Sequence, residues 1–321
     1  MSQFLSRCDA SAMRDAAEIL IAGGLVAFPT ETVYGLGADA CNAAAIARIY
    51  SVKDRPVDHP LIVHIADLKY LELWISDIPE FAIALARKFW PGPMTLILHR
   101  SELANDFITG GQNTVGVRIP DNAIALGLLE AFHESGGSGI AAPSANRFGN
   151  VSPTNAQAVA AELGDYLAEG DQILDGDACD VGVESTIIDC TTDSPRVLRP
   201  GAITIEMIEE VTGKTVATKF NDSNIRFSGS LENHYAPKAR VILDQDPIVG
   251  SGFIALYGTS TPAGVIRLAA PNSVEEFARI LYESLREGDH QKLDFIYIEQ
   301  PTGDGLALAI RDRLGRSAKG R

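Results

Sequence analysis

The stretch FPTETVYGLGADA, residues 28–40, decides between two kinds of α/β protein. Gly35-Leu36-Gly37-Ala38-Asp39-Ala40 satisfies the loosened dinucleotide pattern G-x-G-x-x-A. That fingerprint works only when its first glycine ends a strand and a helix follows at once, so that the helix N-terminus meets a pyrophosphate. Neither condition holds. The apolar run LVAF is cut by Pro29, the polar PTETVY intervenes, and the next helix signal is Asn42, a capping residue. A nicotinamide-binding Rossmann start is therefore rejected. What remains is a proline-broken strand end, where Thr30 and Thr32 are offered to a ligand or used in a turn rather than in a sheet ladder.

Other nucleotide and hydrolase signatures fail as well. Gly213-Lys214-Thr215 would close a Walker A loop only with glycine at position 208, which is Ile208. Neither G-x-S-x-G nor H-E-x-x-H occurs. The six histidines and four cysteines (Cys8, Cys41, Cys179 and Cys190) show no zinc spacing, which leaves reduced thiols as the expectation. A net charge of −15 argues against a chain whose main task is coating nucleic acid or an anionic membrane. The N-terminus lacks an unbroken apolar signal region, and no run approaches the ~20 apolar residues of a membrane span, so a cytoplasmic protein is expected.

With 321 residues, 46% of them apolar, the chain exceeds the ~250–300 at which single cores stop growing. Two domains are expected. Strand and helix patterns alternate through LVAF, NAAAIARIYSVK, PLIVHI, PEFAIALARKF, MTLIL, TVGVRI, NAIALGLLEAF, GIAAPSA, TNAQAVAAEL and ESTIIDC. They predict a large α/β domain over residues 1–213, with helices covering a twisted sheet. Residues 214–239 lose the periodicity and read as a linker. A second pattern, ARVILDQ, GFIALYG, AGVIRLA, SVEEFARILYESLREGD and FIYIE, predicts a small Rossmann-like domain over 240–321.

Cations and small polar groups recur at the predicted strand ends. Lys53 closes a helix, with Arg55 two residues on, between Pro-bearing segments and ahead of His64. Arg118 lies on an apolar strand and Arg199 follows one, where each needs an anion. Ala142-Pro143-Ser144-Ala145-Asn146 follows the GIA strand. The set suits an anionic ligand and chemistry done by positioning and charge neutralisation, as in phosphoryl or nucleotidyl transfer.

The runs FPTETVYGLGADA, Lys53-x-Arg55 with Pro60-Leu61-Ile62-Val63-His64, FWPGPMT (89–95), TVGVRIP, APSAN, SPT (152–154) and VESTIID together resemble the YrdC/Sua5 family. The segment after HYAPKA resembles the second domain of its long, Sua5-type members. The resemblance implies a YrdC-like sheet domain with a concave cavity and a small Sua5 C-terminal domain. Separately, Tyr235 and Pro237, out of place in a flexible tether, predict that the 214–239 linker folds back over the cavity mouth, the alternative being simple docking on the large domain. The resemblance also implies an enzyme that joins L-threonine, bicarbonate and ATP into threonylcarbamoyl-AMP and pyrophosphate, on the way to N6-threonylcarbamoyladenosine at tRNA position 37. On this resemblance ATP is held by Lys53, Arg55, His59, Thr114, Ser144, Asn146, Ser152, Arg199 and Tyr235, with Lys53 and Arg55 the catalytic cations. Threonine meets Thr32, His64, Arg118, Ala142 and Ser185. His59 stands where many members have asparagine. Mg2+ is expected on the phosphates, since no acidic cage is visible. Expected partners are threonylcarbamoyl-transferring proteins, with tRNA contact weak or indirect. The rival readings are a double-stranded RNA-binding module, opposed by the charge, and a carbamoyl-adenylate-forming maturation factor, whose acylphosphatase and zinc-finger segments are absent from the sequence.

Overall fold

The computed structural model describes residues 4–7, 9–217, 225–229 and 234–320. The first part of the chain runs β1 (Leu5–Arg7), α1 (Ala10–Ile21), β2 (Val26–Phe28), β3 (Gly35–Asp39), α2 (Ala43–Lys53), β4 (Ile62–His64) and α3 (Leu71–Trp74). It continues with α4 (Glu80–Phe89), β5 (Met94–His99), α5 (Asp106–Thr109), β6 (Thr114–Arg118), α6 (Ala123–Glu134) and β7 (Ile140–Ala141). Then come α7 (Ala156–Leu163), β8 (Gln172–Asp175), β9 (Thr186–Asp189), β10 (Arg196–Arg199) and α8 (Ile205–Thr212). Its strands form one mixed sheet in the order β1-β8-β2-β3-β7-β4-β6-β5-β9-β10. The second part holds β11 (Arg240–Leu243), β12 (Gly252–Ile254), β13 (Ile266–Ala269), α9 (Val274–His290), β14 (Phe295–Ile298) and α10 (Leu306–Ala318). Its four strands are all parallel, in the order β11-β14-β12-β13.

Local chemistry explains where helices begin. The Asp9 carboxylate accepts the Ser11 and Ala12 amides at the start of α1, and Asn42 accepts those of Ala44 and Ala45 at the start of α2. At the far end of α2, Asp54 takes a left-handed conformation (φ 54°). That turn sends Lys53 and Arg55 inward on successive sides of the bend, and both are buried.

The sheet carries two different loads. One face packs Leu25, Ala27, Val63, Leu96, Val115, Val117 and Ile188 into the main core. On the other face, Val26, Phe28, Ile140, Ala142 and Leu174 are covered by apolar residues of α1 and α6. Toward β4 and β6 the same face borders a cavity lined by Gly35, Ile62, His64, Arg118 and Ala142.

The two parts of the chain share a core. Val33, Val151 and Val183 pack with Tyr235, Val241, Ile254, Phe277, Leu281 and Ile310. Each such aliphatic side chain is worth roughly 1.5–3 kcal/mol when fully buried, so separating the parts would carry a large cost.

Candidate active site

Strands β4 and β6 run parallel, with Ile62 opposite Gly116 and His64 opposite Arg118. Side chains alternate along a strand. The alternation turns Val63, Val115 and Val117 into the core and leaves Ile62, His64 and Arg118 on a cavity. The site therefore stands on a sheet face as well as at strand ends, a correction to the strand-end pattern predicted from sequence.

Thr30 shows how the PTET run folds. Its Oγ1 donates to the Val33 carbonyl at 2.7 Å and accepts the Thr32 and Val33 amides at 3.2 Å. This turn aims Thr32 at Arg118, whose guanidinium donates to Thr32 Oγ1 at 2.9 Å. A second arm of Arg118 lies 2.7 Å from the Glu31 carboxylate, and both residues are buried. Arg118 thus has an internal counter-ion, Glu31, that the sequence analysis did not single out.

Ser185 shares a hydrogen bond with Thr95 at 2.8 Å. Arg199 grips the same residue through Nε and one terminal nitrogen, at 3.1 and 3.0 Å from the Ser185 carbonyl. Its other arm reaches the Ser228 carbonyl at 2.9 Å. Thr32, His64, Arg118, Ala142 and Ser185 all line the cavity, as do Arg55, Ser144, Arg199 and Tyr235.

Five expected site residues stand elsewhere. Lys53 Nζ lies under the 144–146 loop, bonded to the Ser144 carbonyl at 2.6 Å and to that of Asn146. Asn146 directs its amide to the Arg147 and Asn150 carbonyls at 2.7 and 2.9 Å. His59 meets Arg55 through its carbonyl, while its ring lies edge-on to Phe148 at 5.4 Å. Thr114 lines a neighbouring pocket closed by Arg226, Phe227 and Ser228. Ser152 is buried and donates to Glu184 at 2.6 Å. The polar atoms of Lys53, the Asn146 amide nitrogen and Ser152 are thus taken up by carbonyls or a carboxylate, while the Asn146 side-chain oxygen is buried without a partner among the described residues.

Residues of the 214–239 segment complete the walls. Ser228, Gly229, His234 and Tyr235 line the cavity, and Ser228 Oγ accepts from Arg55 at 3.3 Å. Arg55 also donates to the Pro60 carbonyl at 3.0 Å and lies 5.5 Å from the Phe148 ring centre.

Charge is strongly biased. Among the described residues on the cavity, Arg55, Arg118 and Arg199 face a single carboxylate, Glu184. Burial alone would raise Glu184, but Arg313 and Arg199 outweigh it and hold the carboxyl at about 2. Burial lowers Lys53 well below the usual lysine range, reinforced by Arg55. Burial, with Arg118 nearby, takes His64 down to about 3; burial, with Arg55, Lys53 and Arg199 nearby, does the same to His234. Both rings are neutral at pH 7. Among the described residues, no cluster of three or more His, Cys, Asp or Glu is placed to hold a metal, and no helix is long and apolar enough to cross a membrane.

These shifts predict acid sensitivity. The unfolded chain protonates both histidines below their ordinary 6.5, whereas the fold resists until about 3. The unfolded state then binds more protons, and stability falls as the pH drops through that window. Glu184 adds a further loss below 4.5. At a shift of 1.36 kcal/mol per unit, each histidine costs roughly 2–3 kcal/mol by about pH 4.5. Melting temperatures across this range check the sign, and a flat profile would contradict it.

Comparison with known proteins agrees with the geometry. Residues 18–201 match the Sua5/YciO/YrdC family model described as "Telomere recombination". Residues 203–319 match the model described as "Threonylcarbamoyl-AMP synthase, C-terminal domain". A threonylcarbamoyl-AMP synthase of Bacillus subtilis is 41% identical over 95% of this chain and 92% of its own length. The structure of Pyrococcus abyssi Sua5 complexed with L-threonine superposes with a TM-score of 0.88 at 39% identity, covering 98% of this chain and 97% of that one. A shorter, putative threonylcarbamoyl-AMP synthase of Mycobacterium tuberculosis is 37% identical over 62% of this chain and 88% of its own.

Proposed function

Because the chain belongs to the Sua5/YciO/YrdC family, in its long, two-part form, we propose that it is a threonylcarbamoyl-AMP synthase acting on L-threonine, bicarbonate and ATP. The observation that carries this reading is the single cavity in which three buried arginines meet hydroxyls, neutral histidines and one neutralised carboxylate. Such a lining suits two anionic ligands side by side, an amino-acid carboxylate and a triphosphate.

Threonine's carboxylate is assigned to Arg118, with Thr32 and Ser185 on its polar groups and Ala142 against its apolar side. Arg118 would divide its fork between the ligand and Glu31. The neutral amine adds to the carbon of bicarbonate, with loss of water, to give a carbamate. A carbamate oxygen then attacks the α-phosphorus of ATP in line, the bond to the bridging oxygen breaks, and pyrophosphate leaves. Arg55 and Arg199 meet the charge that develops on the phosphates, and Ser144 and Tyr235 flank the nucleotide. Magnesium, held by the phosphate oxygens of ATP rather than by a protein carboxylate cluster, would help to neutralise that same charge. Neutral His64 and His234 avoid holding a proton that would repel the arginines. The adenylate would pass to a threonylcarbamoyl-transferring protein for the modification of tRNA.

The test is pyrophosphate release measured with each substrate omitted. Release that requires both threonine and bicarbonate supports the reading; release indifferent to either overturns it. Within the same assay Arg118→Lys should raise the KM for threonine at least ~10-fold and that for ATP by less, because lysine cannot reproduce a bidentate fork. Equal losses for both ligands would make Arg118 structural.

A further inference from the structure

We propose that Glu184 is a positioning residue for the synthase reaction, clamped by Arg313 and Tyr282 so that the C-terminal part of the chain sets the alignment of Ser185 and Arg199 in the cavity. The inference deepens the function proposed above and rests on it.

Arg313 is fully buried on α10, a helix outside the catalytic sheet. It donates Nε to the Glu184 carboxylate at 2.9 Å and a terminal nitrogen to the Glu184 carbonyl at 3.2 Å. One arginine therefore fixes both the side chain and the peptide of a cavity residue. Tyr282 of α9 donates to the same carboxylate at 2.8 Å, and Ser152 takes the other oxygen at 2.6 Å. Both carboxylate oxygens of Glu184 are already engaged by protein donors, Oε1 by Ser152 and Oε2 by Tyr282 and Arg313. Its role is transmitted through its neighbours.

The peptide that Arg313 holds leads directly into Ser185, whose carbonyl and hydroxyl are both gripped by Arg199. Ser185 and Arg199 line the cavity. A displacement of Glu184 would thus be felt one residue away by the groups assigned to threonine and to the phosphates. The seat is tight as well as charged. At Gly182 (φ +77°), an added Cβ would fall 2.4 Å from the Arg279 backbone of α9, so only glycine admits this approach. Arg286 of α9 donates to the Ser152 carbonyl at 3.2 Å, fixing the second residue that holds Glu184.

The clamp differs from a simple buried ion pair. A structural pair would alter stability and leave the properties of the folded fraction alone. A positioning pair would alter the kinetics of folded enzyme, and its two members would act as one unit.

The experiment is a double-mutant cycle in the full chain: Glu184→Gln, Arg313→Met and the double variant, with Tyr282→Phe as a milder probe that leaves both charges in place. Melting temperature, kcat, the KM values for threonine and ATP, and L-threonine affinity by calorimetry are measured on folded protein. Each charge variant is expected to lose at least ~30-fold in kcat/KM for threonine, and the double variant to lie within ~3-fold of the weaker single. Tyr282→Phe should lose ~3–10-fold. Losses that multiply in the double variant, or a lowered melting temperature with unchanged kinetics and affinity, would overturn the proposal. If Glu184→Gln or Arg313→Met fails to fold, an unchanged kcat/KM in Tyr282→Phe overturns it alone. Calorimetry separates the two readings: wild-type protein that binds threonine without making adenylate refutes the proposed reaction, while the affinities of the variants still decide the clamp.

Discussion

Arg55→Ala is expected to reduce threonylcarbamoyl-AMP formation at least ~100-fold, the loss typical of one charge-assisted stabiliser of a transition state, and Lys53→Ala to reach a comparable loss indirectly, by releasing the loop that carries Ser144. The two should fail differently. Arg55 stands on the cavity wall, where its guanidinium is braced by the Pro60 carbonyl, Ser228 and the Phe148 ring. Its removal should lower kcat and raise the KM for ATP while leaving the melting temperature near that of the wild type. Arg55→Lys should rescue little, since a point charge cannot keep three fixed contacts and face a phosphate as well. Lys53 is a brace beneath the loop that carries Ser144, tied to the Ser144 and Asn146 carbonyls. Lys53→Ala would strip two buried carbonyls of their donor and leave a void, so lost turnover should come with a lower melting temperature. Steady-state kinetics beside thermal unfolding distinguish the two. Unchanged turnover with native stability would remove Arg55 from the phosphate end, and the same result in Lys53→Ala would remove Lys53 from the support of the Ser144 loop.

How much of this was legible in the sequence depends on the kind of signal. Helices with a side-chain cap, such as those opened by Asp9, Asn42, Asn122 and Ser273, could be placed because the cap is a local event. The helix α10 escaped notice: it opens at Gly305 with no side-chain cap, and its run LALAIRDRLGRSA mixes charges into the buried face. Arg313 was lost with it. The glycine-bearing stretch 35–39 is a strand, β3, because glycine at 35 and 37 lets Phe28, Ala142 and Ile140 of neighbouring strands approach. Arg118 and Arg199 were visible because an arginine in an apolar run demands an anion. Glu31 and Glu184 were not, because a carboxylate in a turn looks like a solvated one until the fold brings an arginine to it. Lys53 was read as a cation facing the phosphates, but the carbonyls that hold it lie about ninety residues away along the chain and no local pattern announces them.

Tyr235→Ala is expected to reduce turnover ~10- to 100-fold and to increase hydrolytic loss of the adenylate, the effect of opening a site that must exclude water. Tyr235 sits on the cavity with φ at 61°, a region that a bulky side chain enters only under constraint, at a cost of order 1–3 kcal/mol. The constraint is visible. Its carbonyl accepts from Ser317 at 2.7 Å, its ring stacks on Tyr282 at 5.7 Å, and Arg313 lies 5.7 Å from its centre. The hydroxyl end is housed by Gly229 (φ +81°), where an added Cβ would fall 2.5 Å from the Tyr235 oxygen. Gly229 and Tyr235 thus meet on the cavity wall, with glycine required at the contact. Deleting everything beyond residue 230 would be a poor test, because it would also uncover Val33, Val151 and Val183 and leave Glu184 without Arg313. Point variants avoid this. Gly229→Ala should reproduce much of the Tyr235→Ala defect by expelling the hydroxyl, whereas Tyr235→Phe should retain most of the barrier to water. Adenylate trapped over time, compared with pyrophosphate released, gives the leak directly. A Tyr235→Ala protein that makes and keeps threonylcarbamoyl-AMP as well as the wild type would reduce this residue to a rivet between the two parts of the chain.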